Sequence, residues 1–83
     1  MIKEKVGQRI KEIRMFELKI SQDELANRLG WDRSFLSRVE SGKQNITLEN
    51  LNALCNGLGV SMSYFFEPFK SNYFAGGEDN EQD

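Results

Sequence analysis

The stretch Ser21–Ser41, SQDELANRLGWDRSFLSRVES, constrains this chain most, because it reads as two short helices meeting at one tight corner. Ser21 is a good N-cap, and Glu24 three residues later completes a capping box. Leu25, Ala26 and Leu29 then form an apolar stripe at helical spacing, and Gly30 stands where a C′ residue turns the chain. Only Gly30 and Trp31 separate this helix from Asp32, a second N-cap candidate. The helix that follows runs from Arg33 to about Ser41, and Gly42 stops it.

That second helix has two unlike faces. At about 100° per residue, Arg33, Ser37, Ser41, Ser34 and Arg38 fall in that order within an arc of roughly 140°. Phe35, Leu36 and Val39 occupy the opposite side. One face is therefore buried, and the other carries two arginines and three small hydroxyls. Arginine forks match the O6/N7 edge of guanine, and serine bonds to almost any base edge or phosphate. Alone, such a helix reads equally as a solvated surface helix, but those usually mix both charge signs on long side chains. Small serines leave room for a second surface to come close. With the preceding helix and the glycine corner, the pattern is a helix-turn-helix whose second helix enters a DNA groove.

At these residues the sequence resembles a known family. ISQDELANRLGxDRSFLSRVESGKQN is similar to the DNA-binding domain of the phage-repressor (Cro/C1 or Xre-type) regulators. The continuation Asn45-Ile46-Thr47-Leu48 is similar to the small controller proteins of restriction-modification systems. The resemblance covers about residues 6 to 66. It departs in two places: the stretch from Arg14 to Gln22 is one residue longer than the family pattern, and Lys19 stands where glycine is common.

Composition narrows the functional classes. Eighty-three residues make one domain, short enough that a monomer would be marginally stable. The chain has no histidine and a single cysteine, Cys55, which excludes disulfides, Cys/His zinc clusters and His-dependent catalysis. Cys55 falls in a leucine-rich helical pattern and reads as a buried thiol. No apolar run approaches membrane-spanning length and the start has no hydrophobic signal region, so the expectation is a soluble cytoplasmic protein. The formal charge of −2 is unusual for a DNA binder. Four of the thirteen acids lie in the last six residues, EDNEQD, so residues 1–77 hold eleven bases against nine acids. Local clustering rather than net charge sets the field at a contact surface.

In the first helix, residues 2 to about 17, Ile2, Val6, Ile10 and Ile13 form one buried stripe. Lys3, Lys5, Arg9 and Lys11 lie on its other sides, either as a solvated face or, through Arg9 or a neighbour, in reach of phosphate. Arg14 lies on the core side and needs a carboxylate partner. Glu40, at the edge of the apolar arc of the third helix, is the candidate, and the resemblance implies an Arg–Glu bridge between these helices. Free backbone N–H groups and an amide make Gln22 a phosphate clamp or an ordinary cap, and the resemblance places it on the DNA backbone. Trp31 is expected to pack at the corner. Lys43, Gln44 and Asn45 form a basic, amide-rich loop suited to phosphates.

Thr47 caps a fourth helix, in which Leu48, Leu51, Leu54, Cys55 and Leu58 line up as core and Gly59 is the stop. Gly57 has no evident reason in this pattern. Ser61 caps a short fifth helix with Met62, Phe65 and Phe66, ended by Pro68. Six aromatics fall between Tyr64 and Phe74, more than a small domain can bury. Either Phe65 alone plugs the core, or Phe65, Phe66 and Phe69 form a dimer interface, as the resemblance implies. Residues 70–83 read as an acidic tail, disordered at its end.

The expected fold is all-α, five helices in one compact domain over residues 1–69. The expected function is sequence-specific binding of double-stranded DNA at a two-fold symmetric operator, as a homodimeric transcription regulator. Arg33, Ser34, Ser37 and Arg38 would read bases, while Gln22, Lys43, Gln44 and Asn45 would grip the backbone. No cofactor and no small-molecule effector are expected, and the controller resemblance suggests control of the chain's own restriction-modification operon. The rival is an antitoxin, or another interaction module, whose aromatic C-terminal segment binds a partner protein.

Overall fold

The computed structural model describes residues 1–69; the acidic tail, with Tyr73 and Phe74, lies outside them. Five α-helices follow one another: α1 (Ile2–Glu12), α2 (Gln22–Leu29), α3 (Arg33–Glu40), α4 (Leu48–Leu58) and α5 (Met62–Phe65). Their starts follow the capping residues. Ser21 Oγ accepts from Glu24 N at 3.1 Å, Thr47 Oγ1 from Asn50 N at 3.0 Å and Ser61 Oγ from Tyr64 N at 3.0 Å. Asp32 takes the extended N-cap conformation of α3 but makes no side-chain cap bond. Gly30 turns the corner in the left-handed region at φ 69°, where a β-carbon is unfavourable.

α1 packs on α3, α2 packs on both α3 and α4, and α4 covers α5. The core is one cluster, built from Ile10, Ile13, Leu25, Ala26, Leu36, Val39, Leu51, Leu54, Cys55, Leu58 and Phe65. Burial pushes the Cys55 thiol above its ordinary pKa, which keeps it protonated and inert. Two expected core positions lie outside. Ile2, in the first turn of α1, and Leu48, at the first residue of α4, are exposed, Leu48 at 78 %. Both extend a correct stripe past the edge of what the helix packs against. Gly57 acquires a reason, because a β-carbon there would meet Leu29 Cδ2 at 2.5 Å. Gly7, unremarkable in the sequence, is tighter still: a β-carbon would run into the carbonyl oxygens of Val39 and Glu40. There the backbones of α1 and α3 touch.

The first helix does not end at Glu12. Ile13–Leu18 continues it as a π-helix, whose wider turn takes up an additional residue. The N–H groups of Lys19 and Ile20 both reach the Arg14 carbonyl, and Lys19 sits in the left-handed region at φ 57°, ψ 46°. Arg14 keeps its place on the core side of this turn.

Arg14 and Glu40 meet in a bidentate pair. Arg14 Nε donates to Glu40 Oε2 at 2.7 Å and the terminal Nη2 to Oε1 at 2.9 Å. Arg14 Nη1 adds a bond to the Ile20 carbonyl at 3.0 Å, and the Glu40 side chain is 1 % exposed. Glu40→Ala strands the guanidinium in the interior and should lower stability by about 3–5 kcal/mol, read by denaturant titration. Replacing both partners with apolar residues of similar volume should recover much of that loss. Lys19→Gly removes the left-handed penalty on a side chain and should raise stability by roughly 0.5–1 kcal/mol in the same titration.

Candidate nucleic-acid interface

The exposed side of α3 is built from the inside out. Leu36, Val39 and Glu40 fix the helix by burial, and Phe35 lies half-buried against Trp31, edge to face, with ring centroids 5.1 Å apart. Trp31 therefore packs at the corner. The remaining positions, Arg33, Ser34, Ser37 and Arg38, all face solvent. Neither arginine is loose. Arg33 Nε stands 3.3 Å from Asp23 Oδ1 on α2, an exposed pair that holds the guanidinium at small energetic cost to release. Arg38 Nε donates to Gln44 Oε1 at 3.3 Å, and its guanidinium lies 5.9 Å from the centre of the Phe35 ring. Asp23 carried no sequence signal, since its partner belongs to another helix and no fixed spacing links them.

The loop after α3 is held by that same Gln44, which is half-buried and also donates through Nε2 to the Asn45 carbonyl at 3.3 Å. Lys43 and Asn45 stand exposed beside it. At the other edge, Gln22 opens α2 and gives its amide Nε2 to Glu40 Oε1 at 2.9 Å. Its side chain is thus aimed by the Arg14–Glu40 pair, while the first-turn N–H groups of α2 carry the partial positive charge of a helix start. One buried carboxylate fixes the start of α2 relative to the end of α3.

Two residues sit elsewhere than the sequence suggested. Arg9 is only 8 % exposed and bonds the carbonyl oxygens of Phe65 at 2.7 Å and Tyr64 at 2.8 Å, which removes it from any contact with phosphate. Phe65 is fully buried in its own chain, so its ring cannot also form a dimer contact. Phe66 and Phe69 remain half-buried and continue from Phe65 as an edge-to-face ladder, each step 5.0 Å between centroids. Among the described residues no helix is long and apolar enough to cross a membrane.

Comparison with known proteins agrees with this geometry. Residues 10–65 match the Helix-turn-helix family. The control protein C.MunI of a Mycoplasma species is 35 % identical over 65 residues, 78 % of this chain and 88 % of its own. A crystal structure of a point mutant of the restriction-modification controller protein C.Esp1396I superposes with a TM-score of 0.80 at 32 % identity, covering 93 % of this chain and 96 % of that one. The C.Esp1396I tetramer in complex with its natural 35-base-pair operator superposes at 0.76 and 35 % identity, covering 82 % and 88 %. The chain belongs to the helix-turn-helix family of Cro/C1 type, DNA-binding transcription regulators rather than enzymes, and its similarity runs to their restriction-modification controller proteins.

Proposed function

We propose that the chain binds a two-fold symmetric operator as a homodimer and regulates the restriction-modification operon that encodes it. The observation that carries this reading is the exposed arc of Arg33, Ser34, Ser37 and Arg38 on a helix whose other side is locked in the core. The operator complex of the relative C.Esp1396I supports the DNA partner. In the complex α3 lies in the major groove. Arg33 exchanges its exposed pairing with Asp23 for the acceptor edge of a base, and Arg38 does so from Gln44. Ser34 and Ser37 allow close approach and bond to base edges or phosphate. Gln22, Lys43, Gln44 and Asn45 flank the arc and hold the sugar-phosphate backbone on either side.

One recognition helix makes few base contacts, so discrimination requires two. A two-fold axis at Phe66 and Phe69 would pair two α3 helices, and successive major grooves on one face of the duplex lie about 34 Å apart. Both phenylalanines are half-buried, with Phe66 packed on the outside of the core and Phe69 beyond it. Linkage then makes the second half-site's binding nearly intramolecular.

Selection of bound sites from random duplex DNA should yield a two-fold symmetric consensus; no enrichment refutes the reading. Arg33→Ala or Arg38→Ala should each lose about 1–3 kcal/mol and relax preference at one base position. Lys43→Ala should instead weaken all sequences alike and lower the salt slope by about one. Titrations across a panel of operator variants separate the two kinds. Phe66→Asp should sediment as a folded monomer and lose more operator affinity than either arginine variant. A variant that stays dimeric moves the axis elsewhere, and one that unfolds passes the test to Phe69→Asp.

A further inference from the structure

Arg9 is the buried cation that DNA recognition leaves unexplained. Its side chain crosses from α1 to the end of α5 and uses every face of the guanidinium. Nε and Nη2 take the carbonyls of Phe65 and Tyr64 at 2.7 and 2.8 Å, at the C-terminal end of α5, where the Tyr64 oxygen also accepts from Glu67 N at 3.2 Å. Nη1 lies 3.2 Å from Glu12 Oε1 and 4.0 Å from Glu17 Oε2. The plane stands over the Tyr64 ring, 5.0 Å from its centre. The Tyr64 hydroxyl in turn donates to the Glu17 carboxylate at 2.8 Å, which ties α5 to the π-helical turn as well. That hydrogen bond raises the phenol pKa above its ordinary value.

Two residues before Arg9, Gly7 brings α1 into backbone contact with Val39 and Glu40 at the end of α3. One residue after Phe65, the Phe66–Phe69 patch begins. The segment Gly7–Arg9 is therefore a short, rigid strut between the recognition helix and the aromatic patch. We propose that Arg9 is a positioning residue for operator recognition: it fixes the tilt of the Phe66–Phe69 patch against α3 and so sets the half-site spacing that a dimer accepts. This rests on the homodimer reading above. A two-fold axis doubles any rotation of the patch, and each base pair turns the duplex by only about 34–36°. A small tilt of α5 is thus felt as a mismatch of groove phase. A lysine cannot replace the fork, because its ammonium is a point charge without the planar pair of donors.

The test uses the full chain and a series of duplexes carrying two identical half-sites at spacings from two base pairs short to two base pairs long. The wild type should show one sharp optimum. Arg9→Lys should remain folded and dimeric, with the half-site consensus unchanged. Its preference for the optimal spacing over the neighbouring ones should fall several-fold, or the optimum should move. A purely structural role would lower affinity equally at every spacing, and unchanged ratios in a folded Arg9→Lys dimer overturn the inference. If Arg9→Lys does not fold, Tyr64→Phe decides: it keeps the ring and the carbonyl bonds but loses the tie to Glu17. It should broaden the optimum to a lesser degree, and an unchanged profile overturns the inference. A wild type without any spacing preference removes the homodimer reading and this inference with it, and is recognised before any Arg9 variant is made.

Discussion

Everything on the exposed side of α3 hangs from the carboxylate of Glu40. An ionised group with 1 % of its side chain exposed is tolerable only if its lone pairs are occupied, and here three N–H groups occupy them. The donors come from Arg14 and from Gln22, while the acceptor closes α3. Three elements that share no local sequence are thereby brought to one point. Such a network contributes less to net stability than an apolar plug of equal volume, because desolvation offsets most of the attraction. What it contributes is direction: α2 and α3 meet at one angle, and the Gln22 amide is held at their junction.

The exposed surface obeys a second economy. A chain of net charge −2 draws no strong non-specific attraction from its overall field. Arg33 and Arg38 stand at the two edges of a serine-lined strip, each held by a neighbour, Asp23 and Gln44. Partners of that strength orient a guanidinium without immobilising it. Under the proposed function, discrimination would fall to close fit in the groove more than to bulk attraction.

The legible parts of the chain were those written in local periodicity. Ser21, Thr47 and Ser61 announce helix starts because capping joins residues three apart, and Gly30 announces the corner because its conformation needs no neighbour. The partnership of Arg14 with Glu40 was legible for a different reason, since a cation on an apolar face needs a carboxylate. What escaped was set by contacts between distant elements. Arg9 looked like surface charge because its acceptors are backbone carbonyls of α5, and a carbonyl has no letter in a sequence. Gly7 looked incidental because its neighbour is the backbone of α3. Leu48 and Ile2 matched their stripes, but a stripe does not say where the opposing surface ends. The π-helical turn was hidden for the same reason, as its composition is that of any helix.

That turn joins two inward-facing stretches. Upstream, Ile10, Ile13 and Arg14 face inward; downstream, Leu18 and Ile20 pack against the same core. Between them Met15 and Phe16 face outward. Each residue advances a helical face by about 100°. A residue gained or lost in α1 before Arg14 would therefore swing its guanidinium off the core side. The Glu40 carboxylate would keep its burial and lose its fork.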